Sequence, residues 1–256
     1  SVDMGAGSIR VVQGIFGEAF SMKEVHRFEN SIENKDGADR WNLKHITDGI
    51  LNGLSRAIAQ SQVPVVSVGV DSWGVDFVLL GADGQPLEDP VSYRDERTAG
   101  MKYLWNTMMP EMETFRHTGI NYNVFNSLYQ LLSLKGSEVM TRTHRILFMA
   151  DYINYMLCGK AVNELTLSST TQMLSCNTGD WDREIIKLLE LKPGLLEKPV
   201  WPGMKIGSVK KGLVGGAPDV VAVAGHDTAC AVAAIPGVSL NTAFLSTGTW
   251  CIMGMV

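Results

Sequence analysis

Residues 2–12, Val2-Asp3-Met4-Gly5-Ala6-Gly7-Ser8-Ile9-Arg10-Val11-Val12, read as the end of one strand, a glycine-rich turn and a second strand. Gly5 and Gly7 suit the positive φ that a tight hairpin bend favours. Outward from there, Phe20 to Phe28 mixes branched and aromatic residues with polar ones, which predicts a third strand. A helix is expected from about Leu43 to Gln60, with Asn42 as candidate cap and Ile46, Ile50, Leu54 and Ile58 recurring every four residues. Val65 to Val70 and Val75 to Leu80 are apolar and strand-like, divided by Asp71-Ser72-Trp73-Gly74, and Asp83-Gly84 turns the chain after them.

Three short strands, a helix and a further strand open a ribonuclease-H-like or actin-like α/β domain, whereas a Rossmann half would begin strand, turn, helix. The expected fold class is therefore α/β, with a mixed sheet and a helical insertion over about residues 99–205. Candidate helices there are Ala99 to Asn106, Asn126 to Lys135, Ala150 to Leu157 and Asp182 to Leu189. Asn163 to Thr171 is rich in Ser and Thr and reads as a loop or a capped helix start. Beyond the insertion come an apolar strand, Val220 to Ala224, a small-residue helix, Asp227 to Ala234, and a strand, Asn241 to Ser246. Thr247-Gly248 turns that strand back into Trp250 to Met255. The expected organisation is one domain over 1–240, with 241–256 as the opening of a second, truncated one.

The 256 residues carry a formal net charge of -5 with no run of Lys or Arg longer than Lys210-Lys211, which argues against nucleic acid as partner. Cys158, Cys176, Cys230 and Cys251 are far apart and form no Cys-x-x-Cys pair, a pattern of a reduced, cytoplasmic protein without structural metal. Apolar runs are strand-length, far below the roughly 20 residues of a membrane span. A small soluble partner fits this surface, and the expected assembly is a monomer or weak homodimer.

Gly225-His226-Asp227-Thr228-Ala229 follows an apolar strand and precedes a helix built of Ala and Val. Asp227 is thereby placed at a strand's carboxyl end and a helix N-terminus, where ligands collect in open α/β sheets. The competing reading makes Asp227 a helix cap and His226 an ordinary packed or surface histidine. Asp3, Asp71 and Asp76 at comparable strand ends favour a cleft. Kinase chemistry on a sugar hydroxyl needs a base, N–H or cationic groups around the phosphates, and Mg2+. Asp227 suits the first role, and Asp3 the last, directly or through water, since Mg2+ prefers few carboxylates and several waters. A turn-stabilising aspartate is the plainer reading of Asp3. Gly5 to Ser8 and Ser246-Thr247-Gly248-Thr249 are weak motifs singly, but as a pair they fit two phosphate-facing loops. Arg10 adds charge to the first, although an arginine at a strand start is more often a solvated edge residue.

Six stretches resemble the FGGY family of carbohydrate kinases: 2–12, VGVDSWGVDFVLL at 68–80, YRDERT at 93–98, NSLYQL at 126–131, GHDTACAV at 225–232 and LSTGTWCIMG at 245–254. Asp71-Ser72-Trp73-Gly74-Val75-Asp76-Phe77 together with Tyr93-Arg94-Asp95 and Arg97 is similar to the branch acting on L-rhamnulose at O1, rather than to xylulose or glycerol kinases. The resemblance implies the first domain of a two-domain kinase using ATP and Mg2+, with the ATP-binding domain mostly absent and the stretch alone inactive. It implies Asp227 as general base, with His226, Thr228 and Gly74 in the sugar site. Ala6, Gly7, Ser8, Ile9 and Arg10 would form the first phosphate loop, with Thr249 a nucleotide contact in the second. Where the family commonly has Ser or Thr, this chain has Gly7, losing a hydroxyl; Ile9 stands where Gly is frequent. Trp73 and Asp76 are further sugar-facing candidates, whereas Phe77 reads as core. Arg94 and Arg97 are expected to pair with Asp95 and Glu96. Other expectations are a kinase for a different ketose such as L-fuculose, or a non-catalytic actin-like sugar-binding protein.

Overall fold

The computed structural model describes residues 1–237, 239–247 and 251–255. The chain opens as an antiparallel meander of β1 (Val2–Met4), β2 (Ser8–Phe16) and β3 (Phe20–Glu29). A hairpin of β4 (Ile32–Lys35) and β5 (Ala38–Trp41), not anticipated from the sequence, precedes α1 (Leu43–Gln60). The helix starts at the expected cap: Asn42 Oδ1 accepts the His45 N–H at 2.9 Å. Its buried face carries Ile46, Ile50 and Leu54, each contributing about 1.5–3 kcal/mol of apolar burial.

After α1 come β6 (Ser67–Ser72) and β7 (Phe77–Leu80). The following segment holds α2 (Met101–Asn106), α3 (Glu111–Thr118), α4 (Ser127–Ser133), α5 (Glu138–Arg142), β8 (Arg145–Phe148), α6 (Met149–Cys158), β9 (Asn163–Glu164), α7 (Leu165–Thr170), α8 (Arg183–Leu188) and β10 (Pro199–Val200). The chain continues through β11 (Lys205–Ser208), β12 (Asp219–Val221), α9 (Asp227–Ala233), β13 (Ala243–Thr247) and β14 (Cys251–Met255). Helices α3 and α5 and strand β8 were not foreseen, and the Ser/Thr-rich stretch at 163–171 is a strand followed by a capped helix. The segment does not stand apart from the main sheet, because α6 lies against β6, β11 and β12.

The main sheet has the order β11-β12-β6-β1-β2-β3, with β6 parallel to both β1 and β12 and the remaining pairs antiparallel. Antiparallel strands 1 to 3 followed by parallel neighbours are the ribonuclease-H-like arrangement. Side chains alternate faces along a strand, and paired residues share a face. Val2 is registered with Val11 and Val70, so these three lie on one face together with Met4, Ile9, Val68 and Val220, all of them buried. Helix α1 covers this face closely enough that a Cβ on Gly53 would fall 2.4 Å from Val11 Cγ2. The same alternation sends Asp3, Asp71 and Arg10 to the opposite face.

Two expectations need correction. Strand β6 runs through Asp71 and Ser72, where a break was expected, because Ser72 N–H continues the ladder to Gly225 C=O at 2.8 Å. Strand β7 leaves the main sheet and pairs with β8. Between them Val75 has φ 68°, a left-handed conformation that is rare for a β-branched residue and turns the chain away.

Candidate functional site

The site forms where three parallel strands end side by side. Asp3 of β1 is registered with Asp71 of β6, and Ser72 forms a parallel bridge to His226, one residue before Asp227. Strand periodicity thus places three carboxylates on one end of the sheet. Burial first, then the charges of Asp3 and Asp227, push the Asp71 carboxyl up to about 7. Folding therefore raises a pKa that is ordinary in the unfolded chain. The folded state binds the extra proton, so stability falls as pH rises from about 4 to about 7 and is level above that. Asp71→Asn is expected to raise stability at pH 8 by an amount on the order of 2–4 kcal/mol, with the gain vanishing near pH 4. An equal gain at both pH values in thermal unfolding would show that ionisation of the Asp71 carboxyl is not the cause.

Asp227 is the first residue of α9, and His226 occupies the cap position without a capping hydrogen bond from its side chain. Asp227 therefore does not sit at the cap position weighed for it, and lies in the first turn instead. Asp227 Oδ1 accepts the Thr228 N–H at 2.6 Å and the Thr228 hydroxyl at 3.2 Å, and His226 Nε2 stands 3.3 Å away. Oδ2 has no donor among the described residues, and the side chain is about half exposed at 48%. Burial lowers the His226 pKa despite the opposing influence of Asp227 and Glu164, so near neutral pH the imidazole is uncharged and acts as a hydrogen-bonding group.

Behind this loop stands a carboxylate that the sequence reading passed over. Glu164 is 1% exposed. Its Oε2 accepts Thr166 N–H at 2.9 Å, Thr166 Oγ1–H at 2.6 Å, Leu167 N–H at 3.0 Å and Gly225 N–H at 3.1 Å. Thr166 Oγ1 in turn accepts the His226 N–H at 3.1 Å. The legible signal was Glu164 immediately before a Ser/Thr-rich helical stretch, as an N-terminal cap.

The loop between β6 and β7 supplies the second wall. A Cβ on Gly74 would lie 2.8 Å from Thr170 Oγ1 and 2.9 Å from its methyl group, so glycine is required by contact rather than by φ. Val75 N–H donates to Thr170 Oγ1 at 3.1 Å, and Ser127 Oγ donates to Val75 C=O at 2.6 Å. Trp73 is mostly buried, 4.5 Å centroid to centroid from Trp41, with Tyr93 and Phe125 extending the aromatic wall.

Asp76, expected to face sugar, is fully buried and accepts from Trp41, Trp73, Tyr93 and Gln130. It holds the aromatic wall from behind. Phe77 is core, as read from the sequence. Arg94 and Arg97 do not pair with Asp95 or Glu96 among the described ion pairs: Arg94 lies over the Tyr93 ring and Arg97 bonds Gln130. Asp95 is engaged elsewhere, since it caps its own turn and accepts the Asp39 N–H.

In the first glycine loop, neither Gly5 nor Gly7 has positive φ. Gly5 is needed because a Cβ would sit 2.8 Å from Ser8 C=O, which accepts the Gly5 N–H. None of the hydrogen bonds among the described residues uses the N–H of Ala6 or Gly7, which leaves two donors for an anion. Ile9 is buried on the core face, so only its backbone borders the loop, and Arg10 forms an ion pair with Asp3. Thr249, the expected contact in the second loop, lies outside the described residues. A groove of about 310 Å³ lies at the other end of the sheet, lined by Val12, Phe16, Val66 and Val68, away from these carboxylates.

An acidic strand-end cluster, a glycine-rich first hairpin and a histidine–aspartate pair at a helix start coincide with the N-terminal domain of the FGGY family of carbohydrate kinases, which matches residues 1–234. The chain belongs to that family. Among its relatives are proteins named Rhamnulokinase from Ligilactobacillus salivarius, 39% identical over 99% of this chain and 53% of the relative, and from Bacteroides thetaiotaomicron, 39% identical over 100% and 54%. The chain therefore spans about half the length of the curated relatives it matches. The crystal structure of a carbohydrate kinase from Novosphingobium aromaticivorans superposes with a TM-score of 0.83 at 23% identity, covering all of this chain and 56% of that one. Among the described residues no helix is long and apolar enough to cross a membrane.

Proposed function

We propose that this domain is the sugar-binding half of an ATP-dependent kinase that phosphorylates L-rhamnulose at O1 in the cytoplasm. Residues 1–240 form the sugar domain and 241–256 the opening of the ATP-binding domain. The observation that carries the reading is Oδ2 of Asp227, which has no donor among the described residues and is held at a strand end beside His226 while Oδ1 accepts from Thr228. The ketose lies between this oxygen and the Gly74 backbone, with the aromatic wall of Trp73 and Tyr93 excluding water. Asp227 accepts the O1 proton as O1 attacks the γ-phosphorus; the bond to the β-phosphate oxygen breaks and ADP leaves. Thr228 and His226 hold the carboxylate in position, and Ala6 and Gly7 N–H groups face the phosphates.

Mg2+ fits the donor set. The side chain of Asp3 is 32% exposed and ion-paired with Arg10, and the neighbouring Asp71 carboxyl is pushed up first by burial and then by the charges of Asp3 and Asp227, which adds to the negative charge around Asp3. Among the described residues no three His, Cys, Asp or Glu side chains converge to enclose an ion, as suits a cation held mainly by water and phosphate. Asp3 would hold it, and when bound it supplies charge neutralisation at the transferring phosphate.

A panel of ketoses assayed with the full-length protein tests the substrate. L-Rhamnulose is expected to give the highest kcat/KM, and a clear preference for L-fuculose or D-xylulose would overturn the assignment.

A further inference from the structure

Helix α7 touches both walls of the site, one with each end. At its start, Glu164 and Thr166 bind the Gly225 and His226 N–H groups. At its end, Thr170 binds the Val75 N–H and abuts Gly74. The two loops approach the helix as closely as glycine permits: a Cβ on Gly225 would lie 2.9 Å from Leu167 Cδ1 and 3.1 Å from Glu164 Oε2. Each end is anchored again behind the helix. Glu164 N–H donates to both oxygens of buried Asp151, at 3.1 and 3.2 Å. Thr170 Oγ1–H donates to Leu167 C=O at 2.8 Å, which aims its lone pairs at Val75. The Val75 backbone it holds is left-handed at φ 68°, a conformation a β-branched residue keeps only when its surroundings over-determine it.

We propose that α7 is a ruler fixing the gap between the base Asp227 and the backbone on which the sugar rests, with Glu164 and Thr170 as positioning residues at its two ends. This rests on the kinase reading above. The two ends carry separable duties. Glu164 sets the loop of Asp227 and governs the chemical step, whereas Thr170 sets the Gly74-Val75 backbone and governs sugar affinity. A short, rigid helix suits the task, since a misplacement of about 1 Å costs on the order of 10²-fold in rate.

The test uses the full-length protein with Glu164→Ala, Glu164→Gln, Thr170→Val and Thr170→Ser. Glu164→Ala is expected to lower kcat by about 10- to 100-fold with KM for the ketose changed less than about threefold. Thr170→Val, which keeps shape and loses the hydroxyl, is expected to raise KM about tenfold or more with kcat nearly unchanged. The conservative Glu164→Gln and Thr170→Ser should each restore most of the loss at their own end. A role in general stability alone would lower the folded fraction without this split, so equal losses in kcat at both ends, or wild-type kinetics in both, overturn the ruler. Amide hydrogen exchange gives a readout that needs no turnover. Gly225 and His226 amides should exchange faster in Glu164→Ala with Val75 unchanged, and the reverse should hold in Thr170→Val. If the wild type phosphorylates no ketose, the kinase reading falls by itself, and exchange that spreads over both loops in each variant rejects the ruler.

Discussion

Asp227→Asn lowers kcat for ketose phosphorylation by at least about 10²-fold while the dissociation constant for the sugar moves by less than about threefold. The substitution is nearly isosteric. Asn Oδ1 still accepts the Thr228 N–H that holds the side chain at 2.6 Å, so the loop keeps its shape. What is lost is the second oxygen, Oδ2, which has no donor among the described residues and is the atom assigned to the substrate proton. An amide nitrogen there presents hydrogens to the hydroxyl and cannot accept a proton from it.

Magnitudes separate this account from a structural one. The Asp227 carboxylate lies in the first turn of α9, and losing its favourable interaction with the helix dipole is worth about 0.3–1 kcal/mol at an exposed position. A 10²-fold loss of rate corresponds to about 2.7 kcal/mol of barrier, more than the dipole supplies, and the dipole acts on stability rather than on turnover. Steady-state kinetics and calorimetric titration of the sugar on the same preparation check both halves. Wild-type turnover would remove Asp227 from the role of base.

The parts of the fold written in local sequence were readable. Asn42 with a four-residue repeat of Ile and Leu gave α1 its bounds, and the strand, bend, strand pattern at 2–12 opened the correct class of sheet. The β4–β5 hairpin had a local signal too: Asp36-Gly37 both take positive φ, the two-residue bend that Asp-Gly favours, but two charged short strands hid it. The placement of a candidate site residue was legible where residue type and chain position coincide, as for Asp227 at a strand end and helix start, and illegible where long-range packing decides. Nothing near Asp76 in sequence says that Trp41, 35 residues earlier, and Gln130, 54 later, will close over it. Glu164 reaches Gly225 across 61 residues, a contact fixed by how the segment before β11 folds back on the sheet. Gly74 was placed in the sugar site by resemblance alone, and the structure gives a separate steric reason for glycine there in Thr170.

Asp76→Ala is the substitution expected to cost most stability. The carboxylate is fully buried, and its oxygens collect the Trp41 Nε1–H at 2.7 Å, the Trp73 Nε1–H at 3.0 Å, the Tyr93 N–H at 3.1 Å and the Gln130 Nε2–H at 3.1 Å. Truncation leaves these donors facing a cavity. Each unsatisfied buried group costs about 1–3 kcal/mol, so the loss is expected to reach roughly 4–6 kcal/mol after partial relaxation, a large share of a typical domain's 5–15 kcal/mol. Burial opposes the charge on Asp76, raising its pKa against the hydrogen bonds that lower it, so Asp76→Asn tests the charge separately. Its oxygen can serve the two indoles, but its amide then meets the Gln130 amide, whose own oxygen is taken by Arg97. Asp76→Asn is therefore expected to cost about 1–3 kcal/mol, between wild type and alanine. Urea unfolding followed by tryptophan fluorescence reads the effect where it arises, at Trp41 and Trp73. A loss below about 1 kcal/mol for Asp76→Ala would mean that water replaces the carboxylate, and that the aromatic wall does not depend on it.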